Sequence, residues 1–541
     1  MPDHHHGSRR TVLLPDMRFP DEVRARYRQL GYWGDDTLLA LIRRWAVDHA
    51  SRTALLTARE RWDYATLVRQ ADRFACHLAA SGVAPGDAVV LHHPNDADFV
   101  VALLALLLLG AVPVLTLPAH RQREIAHVVR LADAVAYLGS DRTEIDLPEL
   151  SAQCPSLRLT LRASPARRFA DWPGGPADTV GAVRVEPGDV ALLLLSGGTT
   201  GLPKLIARTH ADYIYNFNAS AALCGVTAED RYLAALPMAH NFPLGCPGIL
   251  GAFAQGAAVV VPPSSAPEEA FEAIARHRAT VTALVPSLAM MWLEAAAWER
   301  PDVSSLRLLQ VGGAKLDAPA AGRLSAQFGC RLQQVFGMAE GLLNFTRLDD
   351  PAEVVAETQG RPLCPDDELR IVDEQGRPVP AGEPGELLVR GPYTIRGYYR
   401  AADYNRQAFT ADGFYRSGDR VRQRSDGYLV VEGRIKDVIN RHGESIAADE
   451  IEACLRDHPA VRDAAVFAGR GEGGEIIHAA VISDDPGLGL AEIRAFCAEL
   501  KLAPFKWPDR LSHVRALPLT PIGKVDKRRL AAQLEEAPPP A

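Results

Sequence analysis

Ser196-Gly197-Gly198-Thr199-Thr200-Gly201-Leu202-Pro203-Lys204 follows the apolar run Ala191–Leu195. A short, wholly apolar run of this kind is a buried strand. The three glycines allow tight turns, so that successive backbone N–H groups face an anion. The hydroxyls of Ser196, Thr199 and Thr200 add donors, and Lys204 adds a positive charge. The stretch is built to hold polyphosphate. It is not the P-loop of kinases and GTPases, which needs Gly-Lys directly before Ser or Thr.

Around this loop, helical and strand-like stretches alternate from about residue 35 to residue 290. Thr37–His49 and Tyr64–Ser81 carry apolar residues at helical spacing. Ala88–His92, Ala257–Val261 and Thr280–Val285 are short apolar runs bounded by turns. Such alternation predicts parallel sheets covered by helices, an α/β class. The uncharged run Phe99–Thr116 is broken by Gly110 and Pro113. It is read as a buried helix ending at Gly110, then the strand Val112–Leu117, because a spanning helix needs about 18–20 apolar residues. Ser164–Gly188, rich in Pro, Gly and Asp, is expected as a surface connection.

Near residue 366 the pattern changes. Glu368–Val372, Gly385–Arg390 and Gly427–Glu432 are strands separated by turns, which predicts a smaller β-rich unit over about 366–433. Beyond Gly433, the helices Ala448–Arg456 and Ala491–Leu500 alternate with the strands Ala464–Ala468 and Ile477–Ile482. The expected domains are a core over 1–433 and a small α+β domain over 434–541. The final EEAPPPA is expected to fray.

Composition narrows the function. The 541 residues carry 59 Lys and Arg against 67 Asp and Glu, a formal charge of −8. A mildly acidic chain without a basic run is a poor binder of nucleic acid or anionic membrane. The eight cysteines show no CxxC spacing, so no zinc site or redox pair is expected. Their scatter fits a reducing, cytoplasmic compartment. MPDHHHGSRR has no apolar core and is not a signal peptide; His4, His5 and His6 are assigned no function.

Four further motifs stand in order with the loop. They are Gln334-Val335-Phe336-Gly337-Met338-Ala339-Glu340, Tyr415-Arg416-Ser417-Gly418-Asp419, Gly433-Arg434-Ile435-Lys436-Asp437 and Pro518-Leu519-Thr520-Pro521-Ile522-Gly523-Lys524. Together the five resemble the signatures of the adenylate-forming superfamily, which includes acyl- and aryl-CoA synthetases, luciferases and peptide-synthetase adenylation domains. The resemblance implies a large N-terminal domain of two parallel-type sheets and a small, mobile C-terminal lid. It also implies use of ATP and Mg2+ to activate a carboxylic acid as acyl-AMP. In this light the loop residues Ser196, Gly197, Gly198, Thr199, Thr200 and Lys204 hold phosphate, with Thr199 also placed in catalysis. Gly312, Gly313, Ala314 and Val335 lie beside adenine, Asp419 binds ribose and Glu340 binds magnesium. Arg434 and Lys436 flank the boundary, with Lys436 at the hinge, and Lys524 is the adenylation lysine. A flexible ammonium can reach both the acid carboxylate and the α-phosphate.

His240-Asn241-Phe242-Pro243-Leu244-Gly245-Cys246-Pro247-Gly248 narrows the resemblance to the aryl-acid branch that feeds siderophore synthesis. Phe19-Pro20-Asp21 to Gly31-Tyr32-Trp33, Leu117–Arg121 and Met338–Asp350 resemble the same branch. The branch implies His240 in catalysis and Asn241, Cys246, Leu343 and Ala339 around the acid. Relatives for 2,3-dihydroxybenzoate usually carry Ser and Val where this chain has Cys246 and Leu343. Cys is a weak donor and Leu is one methylene larger, so the site near ring C3 is smaller and drier. The expected substrate is therefore salicylate. The expected acceptor is the phosphopantetheine thiol of an aryl carrier domain on a peptide synthetase. Arg441 and Ser445 are placed on the phosphopantetheine side, Ser445 standing where the branch usually has Lys. The alternatives are a 2,3-dihydroxybenzoate-AMP ligase, an aryl-CoA ligase, and a nucleotide-binding protein without turnover.

Overall fold

The structure, a computed structural model, describes residues 11–172, 179–196, 202–316, 318–373, 375–434, 438–441, 444–471, 474–485, 487–518, 525 and 527–535. The chain divides into two compact units. The larger takes in Met1–Pro118, Val128–Ser196 and Leu205–Gly433. The smaller takes in Ala119–His127, Gly197–Lys204 and Arg434–Ala541.

The larger unit holds three sheets. One has six strands, in the order Leu159–Ala163, Ala136–Ser140, Ala88–His92, Val112–Thr116, Val190–Leu195 and Leu205–Thr209. All its neighbours are parallel except the last pair, which is antiparallel. Its inner strands are buried along their length, as expected of parallel strands covered on both faces. The helices open on side-chain caps: Thr37, Asp63 and Asp96 accept from Ala40, Thr66 and Phe99 N–H. Ala97–Leu108 is buried on every side, so its uniform apolarity marks a core helix. Among the described residues no helix is long and apolar enough to cross a membrane. Gly110 ends that segment with φ +69°; a Cβ there would lie 2.7 Å from Val183 Cγ1.

The second sheet has nine strands. Its centre is Arg231–Leu233, Val281–Leu284, Leu308–Gly312 and Arg331–Gly337, all parallel. Leu343–Phe345 then returns antiparallel beside Arg331–Gly337. Alternation separates two cores. Leu233, Leu309, Val311 and Leu332 pack on one face, and Tyr232, Leu308, Val335 and Leu343 on the other. In open α/β sheets, ligands sit beyond the carboxyl ends of the parallel strands. Here those ends are Gly312 and Gly337.

The third sheet is the β-rich unit expected from the turn pattern. It orders Glu368–Val372, Gly385–Arg390, Tyr415–Gln423 and Leu429–Arg434, with one helix, Ala402–Ala408, inserted. The smaller unit has a three-stranded sheet of Val461–Gly471, Gly474–Ser483 and Arg510–His513. The helices Ala448–Arg456 and Leu490–Glu499 cover it around a core that includes Ile451, Val466, Ile477 and Ile493.

The expected surface connection has one buried anchor. Within Ser164–Gly188, Phe169, Ala170 and Trp172 are buried, and Phe169 stacks on Phe74 at 4.7 Å between centroids. The other described residues of the stretch are exposed or half-buried, as a surface connection requires, and aromatic contacts hold its buried anchor. All eight cysteines are free thiols. His4–His6 and the last six residues, EAPPPA, lie outside the described residues, while Glu535 ends the helix Lys527–Glu535.

Candidate active site

The phosphate loop joins two antiparallel strand ends, where Leu195 pairs with Leu205. Ser196 and Lys204 are half-buried at the two ends of the loop. Gly197, Gly198, Thr199, Thr200 and Gly201 lie outside the described residues, as do Lys436 and Lys524.

The residues expected beside adenine stand on two neighbouring strands of the nine-stranded sheet. Gly312 pairs with Val335, and a Cβ on Gly312 would lie 2.6 Å from the Val335 carbonyl and 3.1 Å from the Phe242 ring. Only glycine lets the motif at His240 settle onto this strand. Gly313 follows with φ +85° and, like Ala314, is exposed. Val335 is buried.

Glu340 sits in a turn after the strand Arg331–Gly337. It is buried, and its Oε1 accepts from Tyr398 Oη at 2.6 Å. Tyr398 Oη lies 2.9 Å from Tyr415 Oη, and burial beside Glu340 drives the Tyr398 phenol well above its usual pKa. Tyr398 therefore stays a neutral donor to one oxygen of the Glu340 carboxylate. A carboxylate is a hard oxygen ligand and fits a phosphate-bound Mg2+. Among the described residues, another carboxylate cluster joins His93, Asp96 and Asp98. Its acids are committed to Arg142, Arg168 and backbone N–H groups.

Asp419 owes its position to a bulge. Leu388 pairs with Arg416 but Glu386 pairs with Arg420, so Ser417, Gly418 and Asp419 stand opposite Leu387 alone. Gly418 takes φ +72°, and Ser417 Oγ accepts the Asp419 N–H at 3.0 Å while donating to Leu387 O at 2.8 Å. The serine and the glycine of the motif thus shape the turn that carries the aspartate.

The acid motif forms the short helix Asn241–Gly245, with His240 at its N-cap and Cys246 at its C-cap. Gly248 follows with φ +58°, where a Cβ would fall 2.4 Å from Pro243 O. Asn241 is buried; its Oδ1 accepts from Tyr213 Oη at 2.9 Å and its Nδ2 lies 3.5 Å from Cys246 Sγ. Burial pushes the Cys246 thiol up to about 12, so it is a neutral thiol at physiological pH. Leu343 is buried and pairs with Gly337; a Cβ on Gly337 would meet Leu343 Cδ2 at 2.5 Å. Cys246, Leu343 and Val335 belong to one apolar core, and Ala339 packs into it.

Sequence reasoning passed over several supports. The fully buried Arg208 bonds the Ala339 carbonyl at 3.1 Å. Asn95 bonds the carbonyls of Ala234 and Leu236 and the N–H of Met238, fixing the approach to His240. Tyr393 Oη accepts the Leu343 N–H at 3.2 Å and donates to Asp367 at 2.6 Å. A charged side chain in the apolar strand Leu205–Thr209 was the one visible signal. In the smaller unit, Arg441 is turned inward to Phe505 O at 2.7 Å and Asp509 at 2.6 Å. Ser445 pairs with Asn440 in the hairpin. Arg434 ends the strand Leu429–Arg434.

Residues 42–399 match the AMP-binding enzyme family, and 450–524 match the AMP-binding enzyme C-terminal domain. The chain belongs to the AMP-binding enzyme family. Among the members most similar to it is a 2,3-dihydroxybenzoate-AMP ligase of Bacillus subtilis, 47% identical over 96% of this chain and 97% of that one. A salicyl-AMP ligase / salicyl-S-ArCP synthetase of Mycobacterium tuberculosis is 48% identical over 95% and 94%. The apo structure of MbtA from Mycobacterium smegmatis superposes with TM-score 0.74 at 48% identity, covering 95% of this chain and 98% of that one. The fold and the family expected from the five motifs are therefore those of this AMP-binding enzyme.

Proposed function

We propose that this chain activates salicylate with ATP and loads the acyl group onto the phosphopantetheine thiol of an aryl carrier domain in siderophore assembly. The observation that carries this reading is near-full-length identity of 47–48% to two aryl-acid AMP ligases, and the buried Cys246 and Leu343, which share one apolar core, support it. A free aryl-acid hydroxyl buried without a partner costs about 1–3 kcal/mol. A thiol is only a weak partner and a leucine none, which favours salicylate. The 47% identity to a 2,3-dihydroxybenzoate ligase supports the second substrate, with the same chemistry.

In the first half-reaction, a carboxylate oxygen of the acid bonds the α-phosphorus of ATP. The bond to the bridging oxygen breaks and pyrophosphate leaves with its electron pair. The protein's task is to bring two anions together in line and offset the developing charge. Ser196, Gly197, Gly198, Thr199, Thr200 and Lys204 cradle the phosphates in this reading, Asp419 holds the ribose, and Gly313 and Val335 border the base. Mg2+, when bound, neutralises phosphate charge, and Glu340 would hold it. Asn241 and Ala339 orient the acid, His240 borders its carboxylate, and Lys524 bridges carboxylate and α-phosphate. In the second half-reaction the thiol attacks the acyl carbon and AMP leaves. Rotation about Lys436 would exchange the Lys524 face for the thiol route, with Arg441 and Ser445 on the phosphopantetheine side. Eight free thiols support a reducing, cytoplasmic setting.

ATP–pyrophosphate exchange with salicylate, 2,3-dihydroxybenzoate, benzoate and a fatty acid tests the proposal. Strong exchange with salicylate alone is expected. Preference for 2,3-dihydroxybenzoate would keep the reaction and remove the pocket argument. Silence with every acid would overturn the function.

A further inference from the structure

Arg208 has no exposed surface, although it stands in a strand whose neighbours Leu205, Ile206 and Ala207 are apolar. Burying a guanidinium is costly unless its donors are met. They are met in three directions. Nε donates to Asp212 Oδ1 at 2.8 Å, Nη1 to Ala339 O at 3.1 Å, and Nη2 to Asn216 Oδ1 at 3.4 Å. The guanidinium also lies 4.8 Å over the Tyr213 ring.

Each partner is itself fixed. Asp212 closes the capping box with Thr209 at the start of the helix His210–Leu223. Asn216 Nδ2 donates to Gly245 O at 2.6 Å, and Tyr213 Oη donates to Asn241 Oδ1 at 2.9 Å. A Cβ on Gly245 would lie 2.8 Å from Tyr213 Oη and 3.2 Å from Asn216 Nδ2, so glycine is what admits this approach. The helix caps without Arg208, because Thr209 and Asp212 suffice. An apolar side chain of similar volume would fill the space but would leave Asp212 buried without its cation, so it costs stability as well. What an apolar residue could not do is tie two separate backbone segments to one rigid fork.

We propose that Arg208 is a positioning residue for the aryl acid, holding the Ala339 carbonyl directly and the Asn241–Cys246 turn through Asn216. This rests on the proposed function, which places the acid between those two segments. The charge also reaches the pocket, since Arg208 draws the Cys246 thiol down against the upward push of burial.

The test uses the intact protein with Arg208→Met, Arg208→Lys and Asn216→Ala, in ATP–pyrophosphate exchange with salicylate and ATP varied separately. Arg208→Met should raise the KM for salicylate about tenfold or more, the effect of losing charge-assisted bonds to the pocket wall, with the KM for ATP unchanged within about twofold. Arg208→Lys should fall with it, because an ammonium keeps the charge but cannot span three partners. Asn216→Ala keeps the Arg208–Asp212 ion pair and cuts the branch from Arg208 to Gly245 and Cys246, so it reads the same effect even where Arg208→Met fails to fold. Full rescue by Arg208→Lys would overturn the positioning role in favour of charge alone. Equal rises in both KM values, or an unchanged salicylate KM in Asn216→Ala, would also overturn it. Wild-type silence with every acid is a different failure, that of the function itself.

Discussion

Cys246→Ser probes the proposed acid pocket. Cys246 is 1% exposed, and its sulfur lies 3.5 Å from both Asn241 Nδ2 and Asn241 O. The thiol is neutral and a weak donor, so a ring hydroxyl brought against it loses water without gaining a partner. A serine Oγ at this place can bond that hydroxyl and can otherwise turn to Asn241 O, so salicylate should lose little. The recovered interaction is about 1–3 kcal/mol, which is a shift of about 5–150-fold in relative kcat/KM toward 2,3-dihydroxybenzoate. Pyrophosphate exchange at saturating ATP, with each acid varied, gives that ratio. Leu343→Val, which removes one methylene from the same core, should move it in the same direction. A ratio unchanged within about twofold in a normally melting Cys246→Ser protein would show that the thiol is packing only.

Other substitutions test separate parts of the site. Lys524→Ala should nearly abolish adenylation while leaving ATP binding measurable by calorimetry; near-normal exchange would remove Lys524 from the mechanism. Tyr398→Phe takes away the 2.6 Å donor to Glu340 and should raise the Mg2+ needed for half-maximal exchange by about 10–100-fold, the usual cost of losing a ligand's hydrogen-bonding support. An unchanged Mg2+ titration would count against Glu340 as the ligand. Asp367 is half-buried with its Oδ1 out of solvent, and its carboxyl is raised to about 7, chiefly by burial. Its contribution to stability is full below the unfolded pKa near 4 and is lost as pH rises through about 7. Asp367→Asn should therefore flatten the fall in Tm between pH 5 and pH 8; an unaltered pH profile would exclude the group.

The fold was legible because its signals are local and repeated. Ala88–His92, Glu368–Val372, Gly385–Arg390 and Ala448–Arg456 form the elements expected of them, residue for residue. Their apolar periodicity is a property of neighbouring residues and survives without tertiary information. Ser164–Gly188 was read as a surface connection for the same reason, and its buried anchor was missed. Its two aromatics are buried by Phe74, a residue about a hundred positions away, and composition cannot register that partner.

The site divides along the same line. Glycines and hydroxyls recur at fixed spacing because backbone turns demand them, so the phosphate loop, the Ser417-Gly418-Asp419 bulge and the Asn241–Cys246 turn stand out in the chain itself. Their supports do not. Arg208 meets Ala339, Tyr398 meets Glu340, and Tyr393 meets Leu343 across separations that no local pattern encodes. The sequence by itself determined the class of chemistry, since the groups that touch phosphate must be of particular kinds. Only the tertiary structure decided what holds those groups still, because a buried hydrogen bond constrains the geometry of two partners and leaves their spacing along the chain free.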